Sequence, residues 1–191
     1  MISAMARKPG RAAPATGPRR KFATVRKAKA AGRTKDGLIE YQRRKGIEAY
    51  LRDLADATST QRMAIEKHGV KGTFIKDLAK RMAVPASRMF AVLGVPKATV
   101  EKKAAADQLV GGTGAIAALG MIRLLGIARE IIEESTAPEA KDLDAAKWLG
   151  QWIEIPQPAL GGRRPSELID TPTGVESVAR VLGAIISGSY Q

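Results

Sequence analysis

The chain has 191 residues, 45% of them apolar but only 4% aromatic, and a formal net charge of +13. The absence of Cys excludes disulfides and thiolate metal sites, and a lone His68 leaves little room for a transition-metal site or a Ser–His pair. No run of about 18 apolar residues predicts a membrane span, and the lack of strand-type alternation predicts an all-α fold with a core of Ala, Leu, Ile and Val.

The charge is unevenly placed. Residues 1–35 hold 11 Lys and Arg and no acid, which leaves 21 bases against 19 acids in the remainder. This leader is rich in Pro, Gly and Ala and cannot bury enough apolar surface to offset chain entropy, so it reads as disordered. It is either a solvated leader, with Met5 as a second candidate start, or an arm adding salt-sensitive contacts to nucleic-acid phosphates. It lacks the amphipathic, Ser-rich character of a transit peptide.

From Asp36 the period is helical. Leu38, Tyr41, Ile47, Tyr50, Leu51 and Leu54 predict a first amphipathic helix, broken at 55–58. Thr58-Ser59-Thr60-Gln61 has the form of a capping box and opens a short helix to His68, with Gly69 as its stop. Gly72-Thr73 opens a third, with Phe74, Leu78 and Met82 on one face, ended by Val84-Pro85. Helices at 86–93 and from Pro96 follow, joined at Leu93-Gly94-Val95 in the manner of a helix-turn-helix. After Gly111–Gly114 comes the longest apolar helix, 115–134, with Ile116, Leu119, Ile122, Leu125 or Gly126, Ala128, Ile131 and Ile132 as its expected core positions. A polar connector follows. Asp144 then caps a helix carrying Trp148, Leu149 and Trp152, a Pro-rich turn leads to a short helix from Pro165, and Thr171-Pro172 caps the last helix.

Most candidate motifs weaken on inspection. In the helix-turn-helix, Phe90 stands where a small residue is usual, and Lys103 where an aliphatic one would help close the unit. Its candidate DNA surface is Lys97, Thr99, Lys102 and Lys103, without the Arg that most often reads bases. Gly112-x-Gly114-x-x-Ala117 matches a dinucleotide fingerprint, but no parallel-sheet pattern surrounds it, so close helix packing explains it better. His68 reads as a helix cap. No catalytic constellation stands out, which predicts a non-enzyme without a cofactor.

The stretch from Pro156 to Pro165 is different. Three prolines restrict the backbone, Gly161-Gly162 permit left-handed turns, and the resulting rigid loop displays Arg163 and Arg164. Glu167 and Asp170 are the local acids able to satisfy one of them.

Trp148-Leu149, Pro156-x-Pro158-Ala159-Leu160-Gly161-Gly162-Arg163-x-Pro165-x-Glu167-Leu168-Ile169-Asp170-Thr171, Gly174, Val178 and Leu182 together resemble the C-terminal toxin-binding domain of the Xre/MbcA/ParS antitoxins. Residues 73–134 resemble the helix-turn-helix-like portion of the same family. The resemblance implies a bacterial, cytoplasmic type II antitoxin, nearest to the ParS-like members, whose partner is a RES-domain toxin that consumes NAD as a NADase or ADP-ribosyltransferase. It also implies a homodimer that blocks the toxin's NAD site through its C-terminal domain, with operator DNA a further partner in some members. The division expected is a basic leader 1–35, a helical, dimerising domain 36–135 and a toxin-binding domain 136–191. Trp152, Pro158, Leu160, Arg163, Arg164, Tyr190 and Gln191 are the candidate toxin-binding residues. Of the two arginines, Arg163 is expected to order the loop and Arg164 to face the toxin. The competing function is a helix-turn-helix transcriptional regulator without a toxin partner.

Overall fold

A computed structural model describes residues 38–135, 140 and 142–186. The basic leader, most of the polar connector, and Tyr190 and Gln191 lie outside the described residues. Among those described, eight α-helices and one two-residue antiparallel strand pair make an all-α fold. The helices are α1 (Ile47–Ala55), α2 (Ser59–His68), α3 (Gly72–Arg81), α4 (Ala86–Val92), α5 (Lys97–Ala105), α6 (Thr113–Glu134), α7 (Ala145–Trp152) and α8 (Pro172–Ile186). No helix among the described residues is long and apolar enough to cross a membrane.

The local signals act where the sequence places them. Thr58 Oγ1 accepts from Gln61 N while Gln61 Oε1 accepts from Thr58 N, so α2 begins with two otherwise orphaned donors satisfied. Asp144 accepts from Ala146 N and Lys147 N at the start of α7, and Thr171 Oγ1 accepts from Gly174 N at the start of α8. His68 Nδ1 donates to the Ala64 carbonyl at 2.7 Å and covers a free acceptor in the last turn of α2.

Three departures have physical causes. The first helix starts at Ile47 rather than near Leu38, because Gly46 adopts φ 77°, ψ 164°, which no helix can pass through. Tyr41 instead packs edge-on against Tyr50 and close to Phe74, and its hydroxyl donates to Asp77 at 2.6 Å. Secondly, Val70 pairs with Val110 and Lys71 with Leu109, strands β1 and β2, where the sequence shows only a helix stop and a coil. Gly69, at φ 101°, stops α2 and also lets β2 approach, since a Cβ there would strike the Val110 carbonyl. Lys71, largely buried, sits between Glu40 at 3.0 Å and Asp107 at 2.8 Å.

Thirdly, α6 is central, and Leu125 and Ala128 are buried as expected, but the rest of its buried face is not the one expected. Ala115, Ala117, Ala118, Met121, Leu124, Leu125 and Ala128 are buried. Ile116, Leu119, Ile122, Ile131 and Ile132 are only half-buried. Small side chains lie inward because α7 and α8 press closely on this helix. A Cβ at Gly120 would crowd Val175 of α8, and one at Gly114 would strike the Val95 side chain. That contact accounts for Gly114 of the dinucleotide-like string, which admits a neighbour to the helix surface, whereas Gly112 has open space and serves the turn through its φ of 65°.

Buried residues from Ile39 to Leu182 form one continuous cluster, so the α7–α8 region is not built on a core of its own. A polar network reinforces the junction. Glu48 of α1 accepts from Arg81 Nε of α3 at 2.5 Å and from Arg129 of α6 at 2.7 Å, and Arg81 also donates to Asp144 at 2.5 Å. Burial raises the Glu48 pKa, but the Arg81 hydrogen bond and the two cationic neighbours outweigh it and hold the carboxyl below its usual range.

Candidate functional site

The α7–α8 connection is built outward from α7. Leu149 is fully buried, and the Gly150 backbone lies so close to the Met82 carbonyl that a Cβ would collide with it. Ile153 is fully buried and its carbonyl accepts from Ser166 N at 2.9 Å, which brings the outgoing and returning arms of the loop together.

Gln157 closes the loop. Its N–H donates to the Arg163 carbonyl at 3.0 Å, and its carbonyl accepts from Leu160 N at 2.9 Å and Gly162 N at 3.0 Å. Its side-chain amide donates to the Ile155 carbonyl at 3.0 Å, and the residue is 5% exposed. Between these bonds, Pro158–Leu160 forms a 3-10 turn, and Gly161 (φ 67°, ψ 32°) and Gly162 (φ 76°) turn left-handed with open space beside them. Such φ values favour Gly strongly. Pro165 and Ser166 are buried and Ile169 is fully buried, which anchors the returning arm. At its foot, a Cβ on Gly174 would overlap the Leu168 carbonyl.

The two arginines of the loop diverge. Arg163 Nε lies 3.6 Å from Glu167 Oε2 on an exposed surface. Arg164 Nη1 lies 4.0 Å from Glu154 Oε2, on the opposite side. Glu154 is already held by Arg88 of α4, which donates to both carboxylate oxygens at 2.8 Å and to Ser166 Oγ at 2.9 Å. Ser166 Oγ in turn donates to Glu154 at 3.2 Å. The Arg88 hydrogen bonds hold the Glu154 carboxyl below its ordinary pKa and raise that of Arg88. The loop is therefore ordered by the Gln157 main chain and the Arg88–Glu154–Ser166 network. The Arg163 contribution to loop closure comes from its carbonyl rather than its guanidinium.

Leu160 and Arg163 lie together on the α8 side of the loop, Leu160 half-buried against the core and Arg163 exposed, and Pro158 is also exposed. Trp152 is not displayed with them. It is 8% exposed and packs in the core, and Trp148 stacks on it with ring centres 6.1 Å apart. An aromatic in a Pro-rich context reads equally as an anchor for a partner or for the loop's own base, and here it is the base. Tyr190 and Gln191 lie outside the described residues. Ile155, 53% exposed beside the loop, passed unnoticed in the sequence, as did Arg88, Glu154, Gln157 and Ser166. Only Gln157 carried a signal, its place between two prolines.

On α5, Thr99 and Lys102 are exposed and Lys103 is half-buried. At about 100° per residue, Lys97 points about 140° away from Lys102. It pairs with Glu101 at 3.8 Å. The four DNA candidates therefore do not form one face. Phe90, the bulky residue at the α4–α5 approach, is buried, and its carbonyl accepts from Val95 N at 2.9 Å across the turn.

Residues 140–188 match the family model for the antitoxin Xre/MbcA/ParS C-terminal toxin-binding domain. Over 134 residues the chain is 36% identical to a protein of Sphingobium sp. (strain YBL2) described as "Prs ADP-ribosylating antitoxin", covering 70% of this chain and 83% of that one.

Proposed function

The chain belongs to the Xre/MbcA/ParS antitoxin family, and from that premise we propose that it neutralises a RES-domain, NAD-consuming toxin by covering the toxin's NAD-binding cleft. It is an antitoxin of a toxin–antitoxin system, its C-terminal domain is of the toxin-binding kind, and its partner is a cognate toxin. The observation that carries the finer reading is the loop at 157–165. Its backbone is closed by Gln157 and anchored by buried Pro165 and Ser166, while it exposes Pro158, Arg163 and Arg164. A loop ordered before binding loses little entropy on docking. Guanidinium forks suit carboxylates and backbone carbonyls at the mouth of such a cleft. The name of the Sphingobium relative supports an ADP-ribosylating toxin as the target.

In this reading the protein acts in the bacterial cytoplasm as a binder, with neither a cofactor nor a reaction of its own. Two copies associate through the half-exposed Ile116, Leu119 and Ile122 of α6, which border a cleft of about 240 Å³ with Leu54 and Val175, lined also by Arg62, Glu66 and Arg123. Operator binding is the second activity. It would use Thr99, Lys102 and Lys103 with the basic leader, and would show a steep salt dependence that falls when residues 1–35 are removed.

The test is co-expression with the product of the adjacent gene. Toxicity and NAD loss should disappear and the two proteins should co-purify. If the adjacent product depletes NAD whether or not this chain is present, the proposed function is wrong.

A further inference from the structure

Beside the loop lies an open cleft of about 500 Å³ between the 3-10 turn at 158–160, the segment around Leu168 and the second half of α8. Leu160, Leu168 and Val181 form its apolar floor, and Arg163 and Arg180 stand on its rim. No acid lines it. Ser177, the remaining polar side chain at its edge, already donates to the Thr173 carbonyl at 3.0 Å.

The two guanidinium groups are poorly neutralised. Among the described residues Arg163 pairs with Glu167 alone, at 3.6 Å, and that pair is exposed on both sides. Arg180 is exposed and forms no ion pair within 4 Å among the described residues; its acidic neighbour is Glu176, which it stabilises only through space. Glu176, one turn earlier on α8, is engaged by Arg123 of α6 at 2.5 Å. Two cations bordering a floor of aliphatic side chains define a ligand with two parts: an aliphatic group to cover the floor and a carboxylate to meet the cations. A phosphate backbone would meet the arginines but leave the floor wet. Covering the floor also removes water from around the ion pairs and strengthens them.

We infer that this cleft is an anchoring pocket for the toxin, filled by an aliphatic side chain whose neighbouring carboxylate is clamped by Arg180 and Arg163. The inference rests on the toxin-binding function and adds Arg180, Leu168 and Val181 to its surface. The clamp uses the side of the loop that Arg163 faces. Arg164, turned toward Glu154, lies outside it.

The experiment is a direct titration of the full chain against the toxin encoded by the adjacent gene, comparing wild type, Arg180→Glu, Arg180→Lys and Lys102→Glu. Arg180 is exposed and outside the core, so all variants should keep the wild-type circular dichroism and melting temperature. Arg180→Glu should weaken binding at least tenfold, Arg180→Lys should recover most of that loss, and Lys102→Glu should bind within twofold of wild type. If wild type binds and folded Arg180→Glu binds within twofold of it, the pocket is refuted while the toxin-binding function stands. If wild type itself fails to bind, the function is refuted and the pocket loses its ligand with it.

Discussion

The α4–α5 pair and the 157–165 loop are both short elements turned by glycine, and both read from the sequence as binding surfaces. They differ in how they hold and present side chains. The loop is closed by backbone bonds to a buried Gln157, and it places Leu160 and Arg163 on one side. Helix α5 is held by Val100 in the core, but its cations are distributed around its circumference, with Lys97 paired to Glu101. A recognition surface needs several groups fixed on one face, and by that measure the loop is the better-formed site.

The largest expected effect asks whether the two regions are one unit. Leu149→Ala removes a fully buried side chain from the shared cluster and should cost about 2–5 kcal/mol. Because the core is continuous, urea unfolding followed by tryptophan fluorescence and by circular dichroism should give coincident transitions. Separate transitions would show that the region from α7 onward melts by itself.

A smaller effect distinguishes the two turns. Gly94 (φ 63°) and Gly161 (φ 67°) are both left-handed, so alanine at either should cost about 1 kcal/mol of strain. A Cβ at Gly94 would also approach the Asp170 Cβ at 3.3 Å, whereas Gly161 has open space. Gly94→Ala should therefore lower the melting temperature more than Gly161→Ala.

Acid should weaken the ties between the loop and α4 and between α7 and α3. Hydrogen bonds from Arg88 to Glu154, and from Arg81 to Asp144, lower both carboxyl pKa values in the folded state. Groups lowered in this way contribute stability above their unfolded values, about 3.9 for Asp and 4.3 for Glu, and lose it as pH falls below them. Denaturation midpoints should be level above about pH 5.5 and decline toward pH 3. Glu154→Gln should flatten part of that decline and cost about 1 kcal/mol at neutral pH, a figure limited by the partial exposure of the pair. The smallest effect belongs to α5: Lys102→Glu should change stability by no more than about 0.5 kcal/mol.

What could be read from the sequence follows from the range of the interactions involved. Caps at Thr58, Asp144 and Thr171 act within four residues and were legible, as were the turns at Gly94 and Gly161. On α6, Leu125 and Ala128 were legible as core, but its isoleucines and Leu119 are only half-buried. The closeness of α7 and α8, which favours Ala and Gly inward, is a tertiary property. The β1–β2 pairing joins residues 38 and 40 apart in the chain through two-residue strands, too short for any alternation to reveal. At the site, the loop and its exposed arginines were legible from Pro and Gly alone. The Arg88–Glu154 tie spans 66 residues, and the position of Trp152 depends on what packs around it, so neither was.

The central claim is that toxin docks on the C-terminal surface and not on α5. Its most direct test is the affinity of folded Arg163→Glu and Lys102→Glu/Lys103→Glu variants for the toxin encoded by the adjacent gene. Arg163→Glu should weaken binding at least tenfold while the double lysine variant stays within twofold of wild type. Unchanged binding by Arg163→Glu together with a large loss in the lysine variant would contradict the account.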